Sequence, residues 1–349
     1  SDATGYDAVR ELEEINVRTA KILHLQHEYS IVPEPMFVEI VRFCETHGLR
    51  LFVTLHRVEI ASWRAFLTSF ITAVVKKLTR KPIEQNGPTS SPKPASDSLP
   101  RKTARPRGGL IGKAHRMFRE FRSRISYQAS VLKNSDLVIA HSSEAAQELR
   151  RQGNKDVRMI PHPLKSFSDK DRSLRRKDDG CLHVGYFGFF APNKDFRSMI
   201  KACATIPNCR LHLLASIPEA LGGIPEYADQ FVTWVRQFEW IDLDMQFLPL
   251  EEVVDRLSGN DVNVYLTVPP PGGYSTSGSI RQYLAAGRPI VANQTFMVSD
   301  LADVITILPD EKLDTIANAI RNFDPDVSRI VKYAEEHTWE KIPDVYGLQ

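Results

Sequence analysis

The chain has 349 residues, 42% hydrophobic and 25% charged, the composition of a globular protein with room for two domains. No run approaches the ~18 apolar residues of a membrane span, and the opening SDATGYDAVRELEE lacks the basic and apolar regions of a signal peptide, so a cytoplasmic location is expected. The net charge of +2 hides an asymmetry: residues 64–124 hold 15 Lys/Arg against 3 Asp/Glu, a balance of +12, which leaves −10 for the rest.

Residues 21–26 read as a buried strand after a helix end. PEPMFVEIVRFCETHG follows as an amphipathic helix, with Phe37, Ile40, Val41 and Cys44 in an i, i+3, i+4, i+7 stripe and Gly48 as its stop. LRLFVTLHRVE is the next strand. This β-α-β alternation predicts a parallel sheet with right-handed crossovers, whose ligands lie beyond the carboxyl ends of the strands. His24 and His27 lie at and just past the first strand end, His56 ends the second, and Glu28 is the nearest acidic residue. Such a histidine either caps its strand or contacts a ligand. RAFLTSFITAVVKKLTRK is apolar with a basic end, and residues 81–109 have the Pro/Ser/Gly-rich composition of a disordered or mobile loop. GLIGKAHRMFREFRSRISYQASVL is a basic helix with Ile111, Met117, Phe118, Phe121 and Ile125 among its apolar residues. That composition suggests an anionic membrane surface. The alternatives are a basic face packed on its own domain, or a site for an acidic glycan or partner. No recognition motif accompanies the charge, so nucleic acid is not expected. NSDLVIAHSSEAAQELRRQG gives strand LVIA and a Ser-capped helix ending at Gly153, VRMIPHPL gives another strand, and the charged stretch 166–179 reads as a linker.

The second half opens with strand HVGYFGFF, which leads through Ala191-Pro192-Asn193-Lys194 into a helix. CRLHLLAS, a helix over YADQFVTWVRQF, strand MQFLPL, helix EEVVDRLS and strand DVNVYLTV continue the alternation. PPPGGYSTSG cannot extend that last strand, because its prolines lack donors and its glycines permit φ > 0. Ser277 or Ser279 is the expected N-cap of helix SIRQYLAAG, Gly287 its left-handed stop, and PIVAN the next strand. A small-residue loop opening a helix after a parallel strand is either a phosphate site or a connection that binds nothing. Arg281 in the first turn carries a guanidinium suited to phosphate oxygens. Asp242-Leu243-Asp244 precedes the predicted strand MQFLPL and is not read as a metal motif. Cys44, Cys181, Cys203 and Cys209 lack C-x-x-C spacing, so reduced thiols and no metal are expected. G-x-S-x-G, H-E-x-x-H and G-x-x-x-x-G-K-[ST] do not occur.

SGSIRQYLAAGRPIVAN resembles the donor-site segment of GT-B glycosyltransferases of the family 4 type, in which a loop and helix hold a nucleotide-sugar diphosphate. The family's pattern is E-x7-E, ending in E-A-L-A-x-G-x-P-V-V. Aligned on residues 284–289, the two glutamate positions fall on Tyr274 and Gln282, neither acidic. HVGYFGFF and Lys194 resemble the family's donor-domain opening, where a lysine pairs the diphosphate. The arginine that often precedes that lysine is absent, with Phe187, Phe189 and Phe190 in its region, and Arg281 could replace its charge. HLQHEYS and VTLHRVE resemble the N-terminal domain, which makes His56 the candidate for contacting the transferred sugar or the acceptor. By the same resemblance Phe247, Leu248 and Leu250 flank the nucleobase, and VSRIVKYAEEHTWEKIPDVYGLQ is the terminal helix that braces the N-terminal domain through Trp339 and Tyr346.

The resemblance implies an α/β protein of two Rossmann-like domains facing a cleft. These are an acceptor-side domain over 1–165 with its basic insert at about 64–124, a linker at 166–179, a donor domain over 180–327, and a returning helix over 328–349. Only about twenty residues precede the first strand, so the first domain is either abbreviated or part of a longer protein. The implied activity is a metal-independent glycosyl transfer, with retention, from a nucleotide sugar to a glycan or lipid-linked acceptor in polysaccharide or glycoconjugate biosynthesis. By its charge, the basic insert would hold the protein against a membrane or an anionic acceptor. Catalysis would rest on His56, Lys194 and Arg281. The donor would lie against Gly273, Tyr274, Ser275, Thr276, Ser277, Gly278, Ser279, Gln282, Phe247 and Leu248, with no cofactor besides the donor itself. Two alternatives stay open: a non-catalytic sugar-nucleotide-binding scaffold, and a sugar-nucleotide epimerase, which shares the fold.

Overall fold

The computed structural model describes residues 20–27, 32–61, 110–153, 156–165, 179–191, 194–217, 226–268 and 273–342. Expectations for Glu28, residues 62–109, most of the linker, Pro192, Asn193 and Tyr346 lie outside the described residues.

The first domain carries β1 (Ile22–His27), α1 (Glu34–His47), β2 (Arg50–Leu55), β3 (Arg57–Glu59), α2 (Leu110–Asn134), β4 (Leu137–Ala140), α3 (Ser143–Arg151) and β5 (Val157–Met159). Strands β1, β2, β4 and β5 form a parallel sheet in that spatial order. Helix α1 buries Phe37, Ile40, Phe43 and Cys44 against it, and Gly48 at φ 67° stops the helix. The predicted stripe holds except that Phe43, not Val41, is fully buried. Helix α3 is capped as expected, the Ser142 hydroxyl accepting from Ala145 N–H at 3.2 Å.

The second domain carries β6 (Leu182–Phe187), α4 (Phe196–Cys203), β7 (Cys209–Leu214), α5 (Glu226–Val235), β8 (Ile241–Asp244), α6 (Leu250–Ser258), β9 (Val262–Tyr265), β10 (Gly273–Ser275), α7 (Ser279–Ala285), β11 (Ile290–Asn293), β12 (Thr306–Leu308), α8 (Leu313–Arg321) and α9 (Ser328–Glu336). Its parallel sheet runs β12-β11-β9-β6-β7-β8. Counted from β6, that is the order 3-2-1-4-5-6 of a doubly wound dinucleotide-binding sheet, whose ligand crevice opens at the switch point between strands 1 and 4. Here that point lies between β6 and β9. Each of these strands has helices on its faces, so β9 and β11 are buried along their whole length.

Three expectations are corrected. The strand expected at MQFLPL lies earlier, at Ile241–Asp244, where Leu211 to Leu214 of β7 supply its register. Residues 245–249 form a loop, and Pro249 instead opens α6. Asp242 and Asp244 are therefore strand residues paired with His212 (3.3 Å) and Arg256 (2.5 Å). Second, α7 starts from Gly278, which makes no side-chain cap, while Ser277 and Ser279 bond each other at 2.9 Å. Its stop is as expected, Gly287 having φ 63°, a conformation that costs other residues more. Third, the terminal segment is not one helix: α9 ends at Glu336 and a separate 3-10 turn spans Trp339–Lys341, with Trp339, 42% exposed, meeting the His162 ring edge-on at 6.4 Å between centroids. The returning chain also packs Ile342 beside Phe52, Leu137, Ile139 and Ile160 of the first domain.

Two backbone connections tie the domains together. Strands β3 and β10 pair antiparallel, Tyr274 facing Val58, inside a stretch expected to be loop only. A Cβ at Gly273 would lie 2.7 Å from the Val58 carbonyl oxygen, so only glycine allows this approach. At the other connection, Leu164 N–H donates to His337 O at 2.9 Å and Trp339 N–H to Leu164 O at 3.0 Å.

Candidate active site

Lys194 sits at the switch point of the second sheet. Its backbone bridges to Thr267, just past β9, and its N–H donates to Ala191 O at 3.0 Å, which turns the chain into α4. Asp195 caps that helix by accepting from Ser198 N–H at 3.1 Å. The Lys194 ammonium lies 4.6 Å from the centroid of the Tyr265 ring. Among the described residues no carboxylate pairs with it. Removal from water pushes its pKa from the ordinary 10.5 down to about 8. A desolvated cation with an aromatic face and no counter-ion is arranged to receive an anion.

A cavity of about 500 Å³ surrounds this ammonium, within the range that holds nucleotide-sized ligands. Its walls come from both domains: His162 and Lys165 on one side, and Phe189, Lys194, Phe247 and residues 276–279 on the other. The Thr276 hydroxyl is buried with no partner among the described residues. At the mouth Phe189 and Phe247 are 48% and 74% exposed, with planes inclined 17° and centroids 6.4 Å apart. Exposed aromatic faces of this kind suit stacking by a planar base. Leu248 lines the same cavity, and Leu250 is 42% exposed beside it.

Arg281 lines the cavity but is 1% exposed, and its fork is taken up elsewhere. One amino group donates to Asp300 at 2.8 Å and the other to the Tyr333 hydroxyl at 3.1 Å. Its charge is thus matched inside the protein, and it ties α7 to α9 rather than pointing a free fork at the cavity. Gln282, at the second glutamate position, turns back on its own helix. With the amide oriented by its neighbours, the nitrogen donates to Gly278 O at 2.6 Å and Ser279 O at 3.0 Å. Tyr274, at the first, packs edge-on against Phe296 with centroids 5.5 Å apart.

The facing wall is a group of histidines at the carboxyl ends of the first sheet. His56 bonds the Gln26 amide oxygen at 2.9 Å, and His24 bonds Thr54 at 2.7 Å. His141 donates to Ile160 O at 2.9 Å and His162 to Pro163 O at 2.7 Å. Burial lowers the pKa of each of His56, His141 and His162, that of His162 to about 3 with Arg281 adding to the effect. All three are neutral imidazoles at physiological pH. His27, by contrast, has its ring buried between Phe37 and Tyr127.

The structure therefore brings together Lys194, residues 276–279, Gln282, Phe247 and Leu248 around one cavity, with His56 in the histidine group beside His162. Gly273, Tyr274 and Ser275 belong to the strand that joins the domains. His141, His162 and Lys165 were not anticipated, nor were Phe189 and Trp339 as cavity walls. Strand register, not a local sequence pattern, places the two histidines: Leu55 pairs with Ala140 and Ala140 with Met159, so His141 directly follows β4 beside His56, and His162 lies three residues past β5.

No protein-family model matches the sequence, and no curated protein matches it. The described architecture is that of the GT-B fold, two Rossmann-like domains facing a cleft, shared with solved glycosyltransferase structures. Anabaena HepE, solved in complex with UDP and glucose, superposes with a TM-score of 0.59 at 13% identity over 98% of this chain and 80% of that one. Sucrose-phosphate synthase from Thermosynechococcus elongatus gives 0.60 at 16% identity over 98% and 75%. A UDP-forming trehalose-phosphate synthase from Burkholderia xenovorans gives 0.59 at 10% identity over 97% and 75%.

Proposed function

We propose that this protein is a glycosyltransferase that moves a sugar from a nucleoside-diphosphate donor to a glycan or lipid-linked acceptor. The observation that carries the reading is Lys194, an uncompensated, desolvated cation at the switch point of a GT-B donor domain, inside a cavity of about 500 Å³. The diphosphate would lie on that ammonium and the adjoining loop 276–279, and the base beside Phe247 and Phe189. UDP is the first nucleotide to test, because HepE was solved with UDP and with UDP-glucose.

In such a reaction the bond from the anomeric carbon to the diphosphate breaks and charge develops on the leaving oxygen. Lys194 stabilises that charge in a site with little water, where one ammonium is worth far more than in solution. Transfer with retention is the outcome suggested by the resemblance of residues 277–293 to family 4. This reading gives the diphosphate no metal partner. The neutral imidazoles of His56 and His162 lie on the acceptor side of the cleft. Arg116, Arg119 and Arg122 are exposed on α2, which supports contact with an anionic membrane surface. Among the described residues no helix is long and apolar enough to cross a membrane.

Release of nucleoside diphosphate from UDP-, GDP- and ADP-sugars, measured with a panel of glycan and lipid-linked acceptors, tests the reading. Acceptor-dependent release that disappears in Lys194→Ala is expected. The replaced glutamates, Tyr274 and Gln282, favour a second reading, a scaffold that binds the nucleotide and does not transfer. Nucleotide binding with no release from any donor would establish that one.

A further inference from the structure

We propose that His56, His141 and His162 form a binding site for a divalent transition-metal ion of the zinc class, on the acceptor side of the cleft. One ring nitrogen from each lies within 4.8 Å of the other two, and the ring centroids are 4.7–5.4 Å apart. The parallel register builds this arrangement. His56 and His141 follow the paired residues Leu55 and Ala140, and His162 lies three residues past β5.

The hydrogen bonds set the chemistry of the group. Gln26 Oε1, Ile160 O and Pro163 O each accept from one nitrogen of a ring. A neutral ring bonded in this way carries its lone pair on the other nitrogen. Outer oxygens that fix the tautomer of metal-bound histidines work in the same manner. The Nε2 of His141 is buried with no partner among the described residues, an arrangement that costs stability. One cation bound by a nitrogen of each ring would engage all three residues at once. Imidazole-only ligation selects zinc, copper, nickel or iron over magnesium and calcium.

Tetrahedral zinc–nitrogen bonds of about 2.0–2.1 Å require closer nitrogens than these, so the rings would draw together by side-chain rotation. Arg281 lies near enough to oppose a second cation, but Asp300 pairs its charge at 2.8 Å. Three protein ligands leave a fourth position open, as in catalytic rather than structural zinc sites. Since His162 lines the cavity, that position opens toward the cleft and suits a water or a sugar hydroxyl. The ion would thus orient the acceptor side, separate from the diphosphate at Lys194.

The test is a titration of the metal-free protein, residues 1–349, with Co²⁺ alone. One equivalent should bind with the visible bands of a tetrahedral ion, and Zn²⁺ should displace it. His162→Ala and His56→Ala, both at half-buried positions, should weaken binding by about 100-fold or more, and Gln26→Ala by about 10–100-fold. Thermal unfolding without metal checks that each variant folds, and either histidine variant alone is sufficient. Substoichiometric or octahedral Co²⁺ in the folded wild type would overturn the site, as would binding that survives in the variants. No nucleotide or sugar is present, so the result does not depend on glycosyl transfer.

Discussion

Replacing Lys194 by methionine should stabilise the ligand-free protein while removing donor binding. Methionine keeps the aliphatic stem beside Tyr265 and deletes a charge that is removed from water without a carboxylate partner. The fall in pKa from 10.5 to about 8 corresponds to a penalty of about 3 kcal/mol at 1.36 kcal/mol per pKa unit. That is an upper bound on the gain, because the variant also loses an attraction to the ring worth about 0.5–2 kcal/mol. A gain of about 1–3 kcal/mol in urea unfolding at pH 6.5 is expected. The pH dependence fixes the cause. Below pH 8 the lysine is charged in both states and the wild type bears the full penalty. Between pH 8 and 10.5 the unfolded chain binds more protons than the folded one, so wild-type stability rises with pH and the gap to the variant closes. A variant less stable than wild type at pH 6.5, or a gap that stays constant to pH 10.5, would show that the charge is already compensated.

Further outcomes follow from the same site. Donor affinity should fall as pH rises above about 8, because binding then requires Lys194 to take up a proton, and Lys194→Arg should flatten that dependence; calorimetry in buffers of different ionisation enthalpy reads the uptake directly. Phe247→Ala should weaken nucleotide binding by about 1–3 kcal/mol, the typical worth of a base stacked on an aromatic ring, with little change in stability, since the ring is 74% exposed. Asp300→Ala should cost about 3–5 kcal/mol by leaving the Arg281 charge buried and unpaired, measured as a lowered Tm. Arg281→Met combined with Asp300→Leu should recover most of that loss.

The alternation of strands and helices was legible because each element carries its own period. The stripe of Phe37, Ile40 and Cys44 and the β-branched run before Tyr265 leave little choice, whereas Lys194 was singled out only because the strand and helix start around it resemble the donor-domain opening of family 4 glycosyltransferases. Position in the chain was a poorer guide where tertiary pairing decides. MQFLPL looks more apolar than IDLD, yet β7 takes IDLD as its neighbour and leaves Phe247 on the surface. The three-residue strand at Gly273 exists because Val58 of the other domain pairs with Tyr274, a partner more than two hundred residues away. The histidine group was hidden for the same reason: residues 56, 141 and 162 show no metal-ligand spacing, and only strand register sets them side by side. Arg281 illustrates the limit of local reading. A first-turn arginine on a phosphate-type loop fits an anion by its chemistry, but Asp300, nineteen residues on, already occupies its fork.

Titration with UDP and UDP-glucose beside GDP and ADP, with unfolding followed for wild type and Lys194→Ala, tests the nucleoside-diphosphate site on Lys194. One nucleotide should stabilise the wild type by about 2.7 kcal/mol at a hundred times its Kd and leave Lys194→Ala unmoved. No stabilisation by any of the four, or equal stabilisation of the variant, would contradict it.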